Sequence, residues 1–290
     1  MSQVTPSRIL AAVVVCALTT PLFAAAHDAE AEHAGAAIQQ VPSSPDAIVI
    51  GFVGGFVRHD NSHHGPVVSA KRLKSSAPPN TFIRVFENRR RKSAYQTILR
   101  LLDRDHDGEL SPEEKAQARI VLYGQSWGGA AAVLLARDLA RAGIPVLLTV
   151  QVDSVAKLWQ SDRVISDNVA AAANFYQPHG IIHGRQQIVA ANPEKTRILG
   201  NYRFDYKKSP VTCRGYTWAD RFFTPGHMQS ECDPALWSRV EALVLQSLAL
   251  RSLALQSLTQ QAVVGQKFTL PGTTPARSGR TGELAAFPQQ

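Results

Sequence analysis

Arg119-Ile120-Val121-Leu122-Tyr123-Gly124-Gln125-Ser126-Trp127-Gly128-Gly129 leads from an apolar run through a glycine-bounded serine into the alanine-rich stretch Ala130 to Ala142. The order is strand, tight turn, helix. In that setting G-x-S-x-G is a nucleophile elbow: its glycines remove the Cβ atoms that would collide when the serine is forced into a strained backbone conformation. Ser126 then stands at a helix N-terminus, where the Trp127 N–H and the positive end of the helix dipole can stabilise an oxyanion. The pentapeptide alone also occurs in ordinary turns, so the flanking strand and helix carry the reading.

Working outward, Ala47-Ile48-Val49-Ile50 has buried-strand character and ends at Gly51. A helical candidate at Val67 to Ser75, a strand at Thr81 to Phe86 and a helix at Ser93 to Leu102 follow. After the Ser126 strand and its helix, Gly143 marks a stop, and Val146 to Val152 reads as the next strand. This alternation predicts an α/β fold, a mostly parallel sheet with helices on both faces. Between Ser154 and Lys208 strands are expected at Gly180 to Ile182 and Thr196 to Leu199, with the topology open. Pro234 to Ala262 reads as a closing helix. Its repeat, Ser247-Leu248-Ala249-Leu250 and Ser252-Leu253-Ala254-Leu255, carries too many leucines for one face, which predicts burial on much of its surface or a homodimer packed through this C-terminal helix.

The chain has 290 residues, 44% of them hydrophobic, enough for one domain with a substantial core, assigned to 46–264. Arg8, the apolar stretch Ile9 to Leu18 and Pro21-Leu22-Phe23-Ala24-Ala25-Ala26 predict a signal peptide over 1–26, cut after Ala26. The apolar run is short for a bilayer and Pro21 interrupts it, so no stable membrane span is expected after its removal, and the mature protein is expected to be periplasmic or secreted. Residues 27–45 read as a flexible lead-in and 265–290 as a disordered tail. Cys16 leaves with the signal. Cys213 and Cys232 are then an even pair in an oxidising compartment, which predicts a disulfide worth on the order of 3 kcal/mol. The formal charge of +8 is dispersed apart from Arg89-Arg90-Arg91-Lys92, and no nucleic-acid module accompanies it, so nucleic acid is not an expected partner.

An activated serine needs a base within hydrogen-bond reach and an acid that orients the base. Asp153 directly follows the strand Val146 to Val152, and neighbouring parallel strands share one carboxyl-end edge, which places it near Ser126. Asp162, Asp167 and Asp220 terminate no apolar strand. For the base, His227 is expected on a mobile loop before the closing helix, with His179 and His183 as competitors. A bridge between Cys213 and Cys232 would brace that loop. The second oxyanion donor is expected from the turn Gly51-Phe52-Val53-Gly54-Gly55, from Phe52 or Val53, beside Trp127. That turn lacks the spacing and lysine of a phosphate-binding P-loop, and no organic cofactor is expected.

On these residues, from about Asp46 to Ala262, the chain resembles the α/β-hydrolase superfamily. The resemblance implies the α/β-hydrolase fold and a triad in the order Ser126, Asp153, His227. It also implies hydrolysis of a carboxylic ester or thioester, of a small-molecule or lipid-like substrate, through an acyl-enzyme. An acid on the strand immediately after the nucleophile helix is similar to thioesterase domains and some lipases. Gln125 stands where histidine commonly precedes the serine, and Ile50 where an HG motif would put histidine; neither departure removes a catalytic atom. An acyltransferase would use the same residues, and a non-catalytic calcium-dependent binding protein on the same scaffold is the rival from another class.

The segment Asp103-Arg104-Asp105-His106-Asp107-Gly108-Glu109-Leu110-Ser111-Pro112-Glu113-Glu114 matches the twelve-position EF-hand loop, 103–114. Asp103, Asp105 and Asp107 would give carboxylate oxygens, Glu109 its carbonyl, Ser111 a hydroxyl or a water, and Glu114 a bidentate carboxylate. Gly108 allows the sharp turn. With one loop, a structural Ca2+ of about 10⁻⁴ to 10⁻³ M affinity is expected rather than a sensor. His59, His63 and His64 with Asp60 have no fixed ligand spacing and read as surface-loop residues.

Overall fold

A computed structural model describes residues 44–214, 216 and 225–249, all within one compact unit. The expected signal peptide, most of the lead-in, the tail, Asp220 and the second half of the leucine repeat lie outside the described residues.

Six strands form one sheet: β1 (Ala47–Val53), β2 (Thr81–Glu87), β3 (Ile120–Gln125), β4 (Val146–Val152), β6 (Val169–Tyr176) and β8 (Arg197–Arg203). Their order is β2-β1-β3-β4-β6-β8, and neighbouring strands all run parallel. A separate two-stranded pair joins β5 (Val164–Ile165) to β7 (Val189–Ala190). Every residue of β1, β3 and β4 is buried, as strands covered on both faces require.

Alternation along each strand divides the core into two layers. Ile48, Ile50, Phe52, Ile120 and Leu122 pack with Ile98 and Leu102 of α2 (Arg91–Leu102) and with Val133, Leu135 and Leu139 of α4 (Trp127–Arg141). Val49, Val53, Val121, Tyr123 and Val150 face the other way, toward Ala70 and Leu73 of α1 (Gly65–Ser76) and a helix over 234–249. Each wholly buried Ile or Leu in these layers contributes about 1.5–3 kcal/mol. In the closing helix Leu236, Trp237, Val240, Val244 and Leu248 recur at helical spacing and bury against the sheet of the same chain. Helix α1 starts earlier than its apolar pattern suggests, because Pro66 in its first turn has its φ already set for a helix.

The segment Gly180 to Ile182, expected as a strand, is a bend, with Gly180 at φ 90° and Ile181 90% exposed. The strand of this region is instead β6, whose four consecutive alanines have little intrinsic preference for the sheet. Pairing with β4 on one side and β8 on the other overrides that preference. Strand β8 also runs four residues past the expected Leu199, to Arg203.

Candidate active site

The mostly parallel sheet covered on both faces, with a serine turn between β3 and α4, is the α/β-hydrolase fold that the sequence resembles. Ser126 has φ 55° and ψ −127°, a conformation that costs a non-glycine residue about 1–3 kcal/mol and persists only where its surroundings impose it. Here two glycines allow the imposition. A Cβ on Gly124 would lie 2.3 Å from the Gly128 carbonyl oxygen, and one on Gly128 would lie 2.3 Å from the Phe52 carbonyl oxygen. Only bare Cα atoms let the helix start sit this close to both strands.

Asp153, the residue after β4, is also left-handed, with φ 41°, and its side chain is wholly buried. Its Oδ1 accepts from the Gly184 N–H at 2.6 Å and the Gln177 N–H at 3.2 Å. Its Oδ2 accepts from Gln177 Nε2 at 3.0 Å and lies 2.7 Å from His227 Nδ1. Four donors therefore hold a carboxylate that solvent does not reach, which is what a buried acceptor-only group requires.

His227 does not sit on the expected loop. It is the third residue of a short helix, Pro225–Cys232, opened by a proline whose fixed φ suits a first turn, and it is only 8% exposed. The imidazole is thus held in place rather than free to swing. Its Nε2 lies 3.3 Å from the Gln125 side-chain nitrogen. Ser126 is the next residue after Gln125, and its Oγ has no hydrogen-bond partner among the described residues. The structure thus brings Ser126, Asp153 and His227 to one edge of the sheet. Of the competitors, His179 Nε2 contacts Asp205 at 3.2 Å and His183 Nδ1 the Gly184 carbonyl at 3.3 Å. Asp162 binds Ser154 and Arg185, and Asp167 binds Lys195.

Trp127 opens α4, so its N–H belongs to the unpaired first turn. Phe52 is buried in β1 opposite Gly124, while Gly54, two residues on, is the one whose Cα abuts Ser126: a Cβ there would be 2.8 Å from the serine Cβ. Asn88 fixes this turn by donating from Nδ2 to the Gly55 carbonyl at 2.6 Å and the Val53 carbonyl at 3.3 Å. Lys157 Nζ donates to Asn88 Oδ1 at 2.8 Å and stands 4.8 Å from the centre of the Trp127 ring. The sequence carries no local signal for Asn88 or Lys157. Gln177 has one, its position one residue past β6, but the alanines of β6 give that strand no pattern of its own.

Cys213 and Cys232 form the expected disulfide, with Cα atoms 5.6 Å apart. The bridge ends the His227 helix, and Cys213 packs against Met228, the neighbour of His227. Glu231 of the same helix meets His64 Nδ1 at 2.7 Å, so His64 is a buried partner rather than the surface residue expected. Replacing both cysteines with serine is expected to lower stability by about 2–4 kcal/mol and to reduce kcat more than KM, read by thermal melting and steady-state kinetics. Unchanged kcat would show that the bridge does not brace His227.

In the acidic loop, ligand-type oxygens of Asp103, Asp105 and Glu114 lie within 4.8 Å of one another, the one such group among the described residues. Gly108 takes φ 88°, as its place in the turn requires. Asp107 and Ser111 are turned to local bonds: Asp107 Oδ1 accepts from the Glu109 N–H at 2.8 Å, and Ser111 Oγ donates to Glu114 Oε2 at 2.9 Å. Backbone N–H groups of Arg104 and Ser111 hold the Glu114 carboxyl below its usual range. Ser111 and Glu114 form a reciprocal capping box that starts α3 (Pro112–Ala116).

No protein-family model and no curated protein matches the chain. Solved structures do. A thermostable esterase from Pseudomonas putida is 10% identical over 72% of this chain and 74% of its own, with a TM-score of 0.38. A dienelactone hydrolase from Anabaena variabilis is 13% identical over 71% and 86%, at 0.35, and a cutinase-like protein from Cryptococcus sp. 12% identical over 71% and 98%, at 0.35. The fold itself is established by strand order and the serine turn. Among the described residues no helix is long and apolar enough to cross a membrane.

Proposed function

We propose that this protein is an exported serine hydrolase that cleaves a carboxylic ester or thioester through Ser126, His227 and Asp153. The observation that carries the reading is the 2.7 Å contact between a buried Asp153 carboxylate and His227 Nδ1, beside a serine held at φ 55° at a helix start. A carboxylate only accepts, so it holds the proton on Nδ1 and leaves a lone pair on Nε2. That lone pair takes the Ser126 proton as Oγ attacks the ester carbonyl. The resulting oxyanion is stabilised by the Trp127 N–H and by a backbone N–H from the end of β1, from Phe52 or Val53. His227 then returns the proton to the leaving group, and water repeats the sequence on the acyl-enzyme. The serine–histidine bond of such sites commonly tightens only when substrate is bound, consistent with the unpartnered Oγ.

The test is covalent labelling. A fluorophosphonate probe is expected to label the wild type and to fail with Ser126→Ala, while p-nitrophenyl esters of graded length give the acyl preference. A protein that never labels and hydrolyses none of the esters would be the calcium-dependent binder instead.

The acidic loop fits a structural calcium ion. Three carboxylates already converge, and Asp103 Oδ1 is buried without a hydrogen-bond partner, a cost that a cation would remove. Asp103, Asp105, Asp107 and Glu114 would supply carboxylates, Glu109 its carbonyl and Ser111 its hydroxyl. Such an ion would fix the connection between α2 and the serine strand and take no part in the chemistry. Calcium at about 100-fold over Kd stabilises by about 2.7 kcal/mol, so chelation is expected to lower Tm by roughly 5–10 °C. A melting curve indifferent to chelator would remove calcium from the account. In chelated protein Glu114 still contributes through its bonds from the Arg104 and Ser111 backbone N–H groups. Because its folded pKa is depressed, that contribution is present above the ordinary glutamate pKa and is lost as pH falls through the folded value.

A further inference from the structure

Gln125, between the first glycine and the serine of the elbow, is 1% exposed and has its amide in the middle of the site. Its Nε2 lies 3.3 Å from His227 Nε2, and a Cβ on Gly54 would lie 2.6 Å from its Oε1, so the amide is packed between the oxyanion turn and the imidazole. The proton positions follow from chemistry. Asp153 Oδ2, 2.7 Å from Nδ1, can only accept, so Nδ1 carries the proton and a neutral imidazole presents a lone pair at Nε2. The partner of that lone pair must be a donor, and the Gln125 NH₂ is one.

We propose that Gln125 is a positioning residue for His227: in the resting site its amide donates to Nε2 and, opposite Asp153, clamps the neutral imidazole in the tautomer that can receive the serine proton. The proposal rests on the triad reading above and adds a competitor for the same lone pair. Among the described residues Ser126 Oγ has no partner, as expected when Gln125 occupies that lone pair. As substrate binds, the amide leaves Nε2, the Oγ–H bond breaks as its proton passes to Nε2, and the Oγ–C bond forms as the carbonyl π bond breaks and its electron pair moves onto the oxygen. Among the described residues, the other titratable groups near this helix are engaged elsewhere. Glu231 holds His64 at 2.7 Å, His179 meets Asp205 at 3.2 Å, and Tyr206 donates to Asp233 at 3.0 Å. Among the described residues, Asp153 and Gln125 are thus the two groups that contact the ring nitrogens.

The experiment has two arms. In ¹⁵N-histidine-labelled Ser126→Ala protein at pH 8, His227 is expected to show a protonated Nδ1 and an unprotonated, hydrogen-bonded Nε2; replacing Gln125 with leucine in that background should move the Nε2 resonance toward that of an unbonded nitrogen. This arm needs no activity, so it separates from failure of the hydrolase reading, which labelling reports. In the second arm Gln125→Glu sets a carboxylate against Nε2 and favours the imidazolium. The acid limb of kcat/KM is expected to rise by about one unit or more, with a loss of about threefold to tenfold at pH 7 that is recovered in alkali. A residue that only fills space would lower stability without moving that limb. A proton on Nε2 in the first arm, or an acid limb unmoved in a folded Gln125→Glu protein, would overturn the proposal.

Discussion

Asp153→Asn is expected to lower kcat by about 10⁴-fold and Ser126→Ala by about 10⁶-fold, with the double variant no slower than Ser126→Ala alone. On the proposed mechanism the effects would not add, because the three groups would act in one proton transfer. Asparagine keeps the shape of Asp153 but cannot satisfy both donors now shared by Oδ2, the Gln177 amide and the His227 ring. If its NH₂ faces Nδ1, the imidazole must carry its proton on Nε2, where it cannot act as a base toward Ser126. Melting curves recorded alongside the kinetics separate this loss from unfolding, since Asp153 also organises the Gln177 and Gly184 backbone. An asparagine variant within tenfold of wild type would end the triad interpretation.

The second large effect concerns the backbone. Gly124→Ala and Gly128→Ala each place a methyl 2.3 Å from a backbone carbonyl oxygen, and backbone cannot rotate away as a side chain can. Each is expected to cost about 3 kcal/mol or more, the upper end of overpacking, and to lower Tm by roughly 6–12 °C. Labelling should fall further than stability, because relief of the collision displaces the start of α4 and with it Ser126. The comparison is Gly143→Ala. That glycine has φ 71° but open space around it, so alanine there meets only backbone strain of about 1 kcal/mol. Equal losses in all three variants would show that close approach at the elbow is unimportant.

The parts legible in the sequence share a local cause. Ser126 is announced by residues within a few positions of it, because the turn's steric demand falls on Gly124 and Gly128 directly. Asp153 follows from one general property, that parallel strands end on a common edge, and the register of β3 with β4 realises it. His227 was identifiable as a residue, yet its helix was not, since the pattern around it is short and mixed. The alanines of β6 favour no sheet by themselves, and the strand exists because β4 and β8 flank it.

By itself, then, the amino-acid sequence determined the alternation of strands and helices, the serine turn, the acidic loop and the two cysteines that pair, all from periodicity, glycine placement and residue chemistry at short range. Packing of the fold is what sets Gln177 against Asp153, Asn88 and Lys157 against the turn beside Trp127, and Gln125 rather than Ser126 against His227 Nε2. Those contacts join residues 24 to 102 positions apart, and a hydrogen bond across such distances leaves no periodic trace in the chain. It is set by where packing of the two core layers brings strand ends and helix starts together.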